Sequence, residues 1–263
     1  MLLYQAVAPP PYAVPEAVVT ERLNSEALGA EVPYQVILPA HYEKSRERYP
    51  VLYLLHGISG HFSDWVSRTN LAEHARLYKL IVVLPEGGDL MYVNSPRGRE
   101  EDHIVKELIP AVDRAFRTIP LRRARAVAGL SMGGYGALLM GLKHPNLFAF
   151  AGSFSGALEI PQMTERKEIM EVFGPPDTPL RKQNDLWELL KAAKPPLPYF
   201  YLDCGTEDRL LDSNRKFAQA LQAAKIPYEY RELPGGHTWD YWDRQVRQLL
   251  MVVKPVLDVR ERE

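Results

Sequence analysis

Two stretches, Val51-Leu52-Tyr53-Leu54-Leu55 and Leu80-Ile81-Val82-Val83-Leu84, offer almost no polar position along their length. A strand with one wet face alternates apolar and polar residues; a strand apolar on both sides has to be covered on both faces. Such strands belong to parallel sheets sandwiched between helices, and most of the chain repeats this pattern. Further strands are predicted over residues 124–130, 148–154, 199–203 and 228–233. Helices are predicted over 63–78, 100–117, 133–143 and 212–224, with a closing helix from Trp239. In the second of these, Ile104, Val105, Leu108, Ile109, Val112 and Phe116 recur at helical spacing, and Pro110 is expected to kink it. Near the start, 18–23 and 32–38 read as an antiparallel hairpin turning at Gly29. The count is about eight strands in a mostly parallel central sheet with helices on both faces.

Residues 156–198 break the rhythm. They are rich in proline, with short helical pieces at 164–172 and 185–193 and no strand, and they read as an insertion over a site at the sheet edge. Nothing else suggests a boundary, so 1–263 is taken as a single α/β domain. Lys and Arg (32) nearly balance Asp and Glu (33), leaving a net charge of -1 and no basic surplus for a nucleic-acid backbone. No run approaches the length of a membrane span. The opening MLLYQAVAPPPYAVPEA is a poor signal peptide, being short, interrupted by Gln5 and lacking a basic flank. A cytoplasmic protein is expected, or a secreted one if a leader has been removed. The single cysteine, Cys204, ends an apolar run and is expected to be a buried, inert thiol.

Directly between a predicted strand and a predicted helix lies Gly129-Leu130-Ser131-Met132-Gly133, a G-x-S-x-G sequence. From this chain's own glycine and serine content, chance supplies about 0.04 such matches, before the strand-to-helix context is required. The motif is that of the nucleophile elbow of the α/β-hydrolase fold, in which small flanking residues let strand and helix approach while the serine stays exposed. A serine hydroxyl needs a base to take its proton. Of seven histidines only His144 and His237 follow Ser131. His144 ends the helix that Ser131 starts, about 18 Å away at 1.5 Å per residue. His237 lies in the turn 234–239 between the last strand and the last helix, where active-site loops emerge.

The acid should fall between nucleophile and histidine. Asp203, Glu207, Asp208 and Asp212 compete, and Asp208, in the loop beyond the strand's carboxyl end, is chosen over Asp203 at the strand's own end. Oxyanion donors are expected at the amides of Met132 and Ile58, with Gly57 as the alternative, and His56 is read as holding the loop rather than as catalytic. Trp65 and Trp239 are candidate substrate-binding residues, with Phe173 or Trp187 as further pocket walls. His61, His74 and His103 lack metal-ligand spacing, and no cofactor is required by this chemistry.

Several blocks in order resemble the esterase D group of α/β-hydrolases, which includes feruloyl, tributyrin and S-formylglutathione esterases and mycolyltransferases. The likeness runs over about 32–242. It rests on Leu54-Leu55-His56-Gly57, Asp64-Trp65, Glu107-Leu108-Ile109-Pro110, Gly129 to Gly134, Cys204-Gly205-Thr206-Glu207-Asp208 and Gly236-His237-Thr238-Trp239-Asp240. The resemblance implies a triad at Ser131, Asp208 and His237. The Cys-Gly-Thr-Glu-Asp block and the tryptophans after the histidine look most like the feruloyl and tributyrin members. S-formylglutathione hydrolases carry a cysteine soon after the His-Gly pair, where this chain has Ile58-Ser59-Gly60-His61. The expected activity is hydrolysis of short-chain or aromatic carboxylic esters through an acyl-enzyme. S-formylglutathione hydrolysis or acyl transfer is the alternative within the family, and a non-catalytic binding module on the same fold is the rival from another class. The expected partner is a small-molecule ester, not nucleic acid or membrane, with a homo-oligomer left open.

Overall fold

A computed structural model describes residues 17–257; the opening segment read above for a leader lies outside them. Eight strands form one sheet: β1 (Val18–Ser25), β2 (Ala30–Ile37), β3 (Val51–Leu55), β4 (Ile81–Pro85), β5 (Arg125–Leu130), β6 (Phe150–Phe154), β7 (Tyr199–Gly205) and β8 (Tyr228–Leu233). Their spatial order is β1-β2-β4-β3-β5-β6-β7-β8. β1 and β2 form the antiparallel hairpin, β2 runs antiparallel to β4, and from β4 to β8 every pairing is parallel. This is an α/β-hydrolase fold.

The unbroken apolar strands divide their side chains between two cores. Val51, Tyr53, Leu55, Ile81, Val83 and Val127 point to one face; Leu52, Leu54, Val82, Leu84, Ala126 and Ala128 point to the other. The first face is covered by α4 (Ile109–Ala115), α5 (Met132–Lys143) and α9 (Leu211–Ala223), and the second by α1 (Asp64–Arg68), α2 (Leu71–Arg76) and α10 (Trp239–Val256). On α10, Tyr241, Trp242, Gln245, Val246, Leu249, Leu250 and Val253 form the buried stripe of an amphipathic helix. α5 is buried on all sides from Met132 to Leu142, because segments of 156–198 cover its outer face.

Two helices differ from expectation. The single helix predicted over 63–78 is broken into α1 and α2 at Thr69 and Asn70. Thr69 is extended (φ -141°, ψ 168°), and its hydroxyl donates to Trp65 O and accepts the Leu71 N–H. The Asp243 carboxylate on α10 takes both the Asn70 N–H at 2.7 Å and its side-chain amide at 2.8 Å, so a residue remote in sequence fixes the break. The helix predicted over 100–117 ends at Ala115 and runs as α3 (Glu100–Asp102), a π-helical stretch His103–Leu108, and α4. Pro110 therefore stands just after the junction of the π-helical stretch with α4, where Ile109 N–H still bonds back to Ile104 O and Pro110 itself has no N–H to give to the preceding turn.

The segment 156–198 carries a 3-10 turn (Ile160–Gln162), α6 (Lys167–Phe173), α7 (Pro179–Gln183) and α8 (Leu186–Ala192), with no strand. α7 was not foreseen from the sequence. The buried Arg181 pins the segment: its guanidinium donates to the carbonyls of Pro161, Met163, Gly174 and Pro175. Tyr135 Oη donates to Asn184 O at 2.8 Å and joins the segment to α5.

Candidate active site

The elbow between β5 and α5 is forced by contact. Ser131 has φ 55° and ψ -115°, a left-handed conformation that is strained for any residue with a Cβ. A Cβ on Gly129 would lie 2.4 Å from Gly133 O, and one on Gly133 would lie 2.5 Å from His56 O. The two motif glycines are thus the places where helix, strand and neighbouring loop pass at backbone contact. Ser131 N–H donates to Phe154 O at 2.9 Å, and Ser131 O accepts the Ala157 N–H at 3.0 Å, tying the turn to β6 and the segment after it.

From that turn Ser131 Oγ lies 3.0 Å from His237 Nε2, and His237 Nδ1 lies 2.8 Å from Asp208 Oδ2. Three loops that leave the carboxyl ends of β5, β7 and β8 supply the three groups. Asp208 Oδ1 accepts the Leu210 N–H at 2.9 Å. Burial pushes the Asp208 carboxyl up, but the His237 and Leu210 hydrogen bonds outweigh it and hold the group below the usual carboxylate range. Trp242 packs edge-on against the imidazole at 4.9 Å between ring centroids, and Thr238 caps α10 by accepting the Tyr241 N–H. His144 points elsewhere, with Nε2 2.8 Å from Glu101.

The other carboxylate weighed for the acid position has a different neighbourhood. Asp203 is fully buried in β7 and accepts from Tyr241 Oη at 3.0 Å. Burial pushes its carboxyl up to about 7 despite that donor. Glu207 is exposed. Cys204 is buried, and burial pushes its thiol up to about 12, far from thiolate chemistry.

Ser131 sits on the floor of a cavity of about 360 Å³. Gly57, Ile58 and Met132 line it on one side, and the N–H groups of Ile58 and Met132 have no partner among the described residues. For Met132 this follows from its place in the first turn of α5. The loop bearing Ile58 rests on a buried polar post. His56 Nδ1 lies 2.7 Å from Gly57 O, and its Nε2 accepts the Gly87 N–H at 2.9 Å. Glu86 stands beside it at 3.4 Å and also takes the N–H groups of Phe62 and Gly88. Burial works to raise the Glu86 carboxyl, yet His56 and those amides pull it down to about 2.

Trp239 lines the cavity, as does Trp242. Trp65 does not: it is 1% exposed, donates its indole N–H to Leu55 O at 3.1 Å, and packs edge-on beneath Trp239 at 5.6 Å. Phe173 is buried in the core and Trp187 packs on Phe217, so neither reaches the cavity. The rest of the apolar lining includes Ala157, Ile160, Met163, Ile169 and Leu210, mostly from the first part of 156–198. These residues carry no motif, and nothing in the sequence singled them out. Among the described residues no three His, Cys, Asp or Glu side chains converge as a metal site, and no helix is long and apolar enough to cross a membrane.

Residues 25–251 match a protein-family model described as Putative esterase. The chain belongs to this esterase family. An acetyl esterase of Caldicellulosiruptor saccharolyticus is 31% identical over 229 residues, covering 81% of this chain and 86% of that one. Among solved structures, a ferulic acid esterase matches with a TM-score of 0.81 and 30% identity, covering 91% of this chain and 98% of its own. An S-formylglutathione hydrolase from Staphylococcus aureus matches with a TM-score of 0.79 at 24% identity over 90% of this chain and 98% of its own, a likeness of fold. The esterase is a carboxylic ester hydrolase of the serine type.

Proposed function

We propose that Ser131 is the nucleophile, His237 the general base and Asp208 the group that orients it, in the hydrolysis of short-chain or aromatic carboxylic esters. The observation that carries this reading is the hydrogen-bond chain Ser131 Oγ, His237 Nε2 and Nδ1, Asp208 Oδ2, at 3.0 and 2.8 Å, opening on a cavity. Ser131 Oγ attacks the ester carbonyl and passes its proton to His237 Nε2. Asp208 accepts the Nδ1–H throughout, which selects the tautomer and steadies the imidazolium. The amides of Met132 and Ile58 are the donors for the oxyanion, each contributing about 3 kcal/mol to lowering the barrier. The tetrahedral intermediate collapses with His237 protonating the departing alcohol, and a water deprotonated by His237 then releases the acyl group from Ser131.

A cavity of about 360 Å³ lies at the small end of ligand sites and suits a short acyl chain or a single aromatic ring. The acetyl esterase and ferulic acid esterase relatives support that range. Acyl transfer remains the second reading, favoured by 27% identity over 273 residues to a diacylglycerol acyltransferase/mycolyltransferase of Mycobacterium leprae. The two differ in whether an alcohol outcompetes water for the acyl-enzyme. The test is turnover of p-nitrophenyl acetate, butyrate and octanoate and of methyl ferulate by the protein and by Ser131→Ala, with products analysed with and without added alcohol. Loss of about 10⁶-fold in the variant supports the assignment; equal activity of the two proteins ends it.

A further inference from the structure

Charge around the cavity is unbalanced. Arg68, Arg166 and Arg209 reach its rim from three separate parts of the chain: the last residue of α1, the residue before α6 and the loop after β7. Among the lining residues Asp64 is the one carboxylate. It is already engaged, its Oδ2 accepting the His61 N–H at 3.1 Å and its Oδ1 lying 3.4 Å from Arg68 Nε. Arg68 also lies over the Trp239 ring, 5.5 Å from its centroid, which places its guanidinium at the cavity wall. Arg166 has a loose contact to Glu168 at 3.8 Å between two half-exposed side chains, and Arg209 makes no ion pair among the described residues. The chain as a whole has a net charge of -1, so this surplus is local to the mouth and not part of a generally basic surface.

Apart from these charged groups the lining is largely apolar, with Ala157, Ile160, Met163, Leu210, Trp239 and Trp242 among it. A wholly neutral, apolar ester fits that interior but leaves Arg209 without a carboxylate partner and Arg166 with only its loose contact to Glu168, while Arg68 keeps Asp64. A substrate with an apolar body and an anion at one end suits both the apolar lining and the arginines. We infer that the ester hydrolysed here carries an anionic group, a carboxylate or a phosphate, held at the mouth by Arg68, Arg166 and Arg209 while its ester carbonyl reaches Ser131. The inference deepens the esterase reading and rests on it.

Exposed guanidinium-to-anion pairs are individually weak, but several acting on one bound group add, and each is screened by salt. Because the arginines sit away from the reacting atoms, they hold substrate and transition state alike, and their effect falls on KM more than on kcat. The test uses matched esters. On the acyl side, mono-4-nitrophenyl glutarate is compared with 4-nitrophenyl pentanoate; on the leaving-group side, 4-acetoxybenzoate is compared with its methyl ester. Turnover by Ser131→Ala is subtracted as background.

On at least one of the two sides, kcat/KM for the anionic ester is expected to exceed that for its neutral match by about tenfold at low salt. Raising the salt to about 0.5 M shrinks that ratio. The double variant Arg166→Gln/Arg209→Gln brings it close to one, whereas Arg22→Gln, on the exposed β1–β2 hairpin, preserves it. No anionic preference on either side, or a preference that survives the double variant, overturns the inference while Ser131-dependent turnover of the neutral esters leaves the esterase reading standing. Absence of any Ser131-dependent turnover removes both.

Discussion

Asp203 and Asp208 leave the same strand end within one turn of chain, yet the molecule drives their carboxyl groups in opposite directions. Asp203 is enclosed in β7 under Tyr241, with one oxygen bonded to the Tyr241 hydroxyl and the other without a donor among the described residues. Burial dominates there and raises the group to about 7. Asp208 is also buried, but its oxygens meet an imidazole N–H and a backbone N–H, and these hold it below the usual range. Burial alone therefore does not decide the ionisation of a carboxylate; the donors aimed at its charged form do. One end of one strand holds both a carboxylate that stays charged and a carboxyl that is neutral in mild acid.

The largest expected effect separates the two by chemistry. Asp208→Asn should lower kcat by about 10⁴-fold, since an amide no longer selects the His237 tautomer, while Asp203→Asn should leave Ser131-dependent turnover within a few-fold. Comparable losses in both variants would erase the distinction. Next in size is a pH effect on stability. Asp203 is raised in the folded state from its ordinary value of 3.8, so between about pH 4 and pH 7 the folded protein binds the extra proton and stability falls as pH rises. The loss amounts to up to about 4 kcal/mol and is complete above the folded-state value. Asp203→Asn should flatten that slope in denaturant titrations across pH 4 to 8; an unchanged slope would place the burden on other groups. Asp208 works the other way, its contribution being complete above the ordinary carboxylate value and lost as pH falls through its lowered one.

A finer probe removes only the Tyr241 hydroxyl. Tyr241→Phe takes away the donor to Asp203 and should cost about 2 kcal/mol, most of it above neutral pH, where the charged carboxylate needs that donor most. A loss independent of pH would instead indicate packing. The smallest expected change concerns the apolar lining of the cavity. Met163→Ala shortens the apolar wall and should reduce kcat/KM for p-nitrophenyl octanoate about three- to tenfold while p-nitrophenyl acetate changes less. Equal changes for both chains would remove Met163 from acyl recognition.

The central strands were legible because they are buried on both faces: β3 falls on the predicted residues and β5 differs by one. The elbow was legible for a related reason, since Gly129 and Gly133 stand where backbones touch and no other residue fits. The break between α1 and α2 was not, because the helical period runs straight through 63–78 and the group that satisfies Asn70 is Asp243 on another helix. Trp65 was misread as a substrate contact for the same reason. An aromatic side chain near a motif looks alike in sequence whether it faces the ligand or supports the residue that does, and here Trp65 supports Trp239.

The fold class, the family and the order along the chain of the proposed nucleophile, acid and histidine could be read from the sequence alone, because these depend on local spacing and on which residues tolerate tight backbone contact. Only the tertiary structure decided which tryptophan meets the cavity, that Asp203 is held near neutrality while Asp208 stays charged, and that three arginines from distant segments share one rim. Ionisation and recognition depend on distances between side chains remote in sequence, and a linear pattern contains no such distances until the chain has folded.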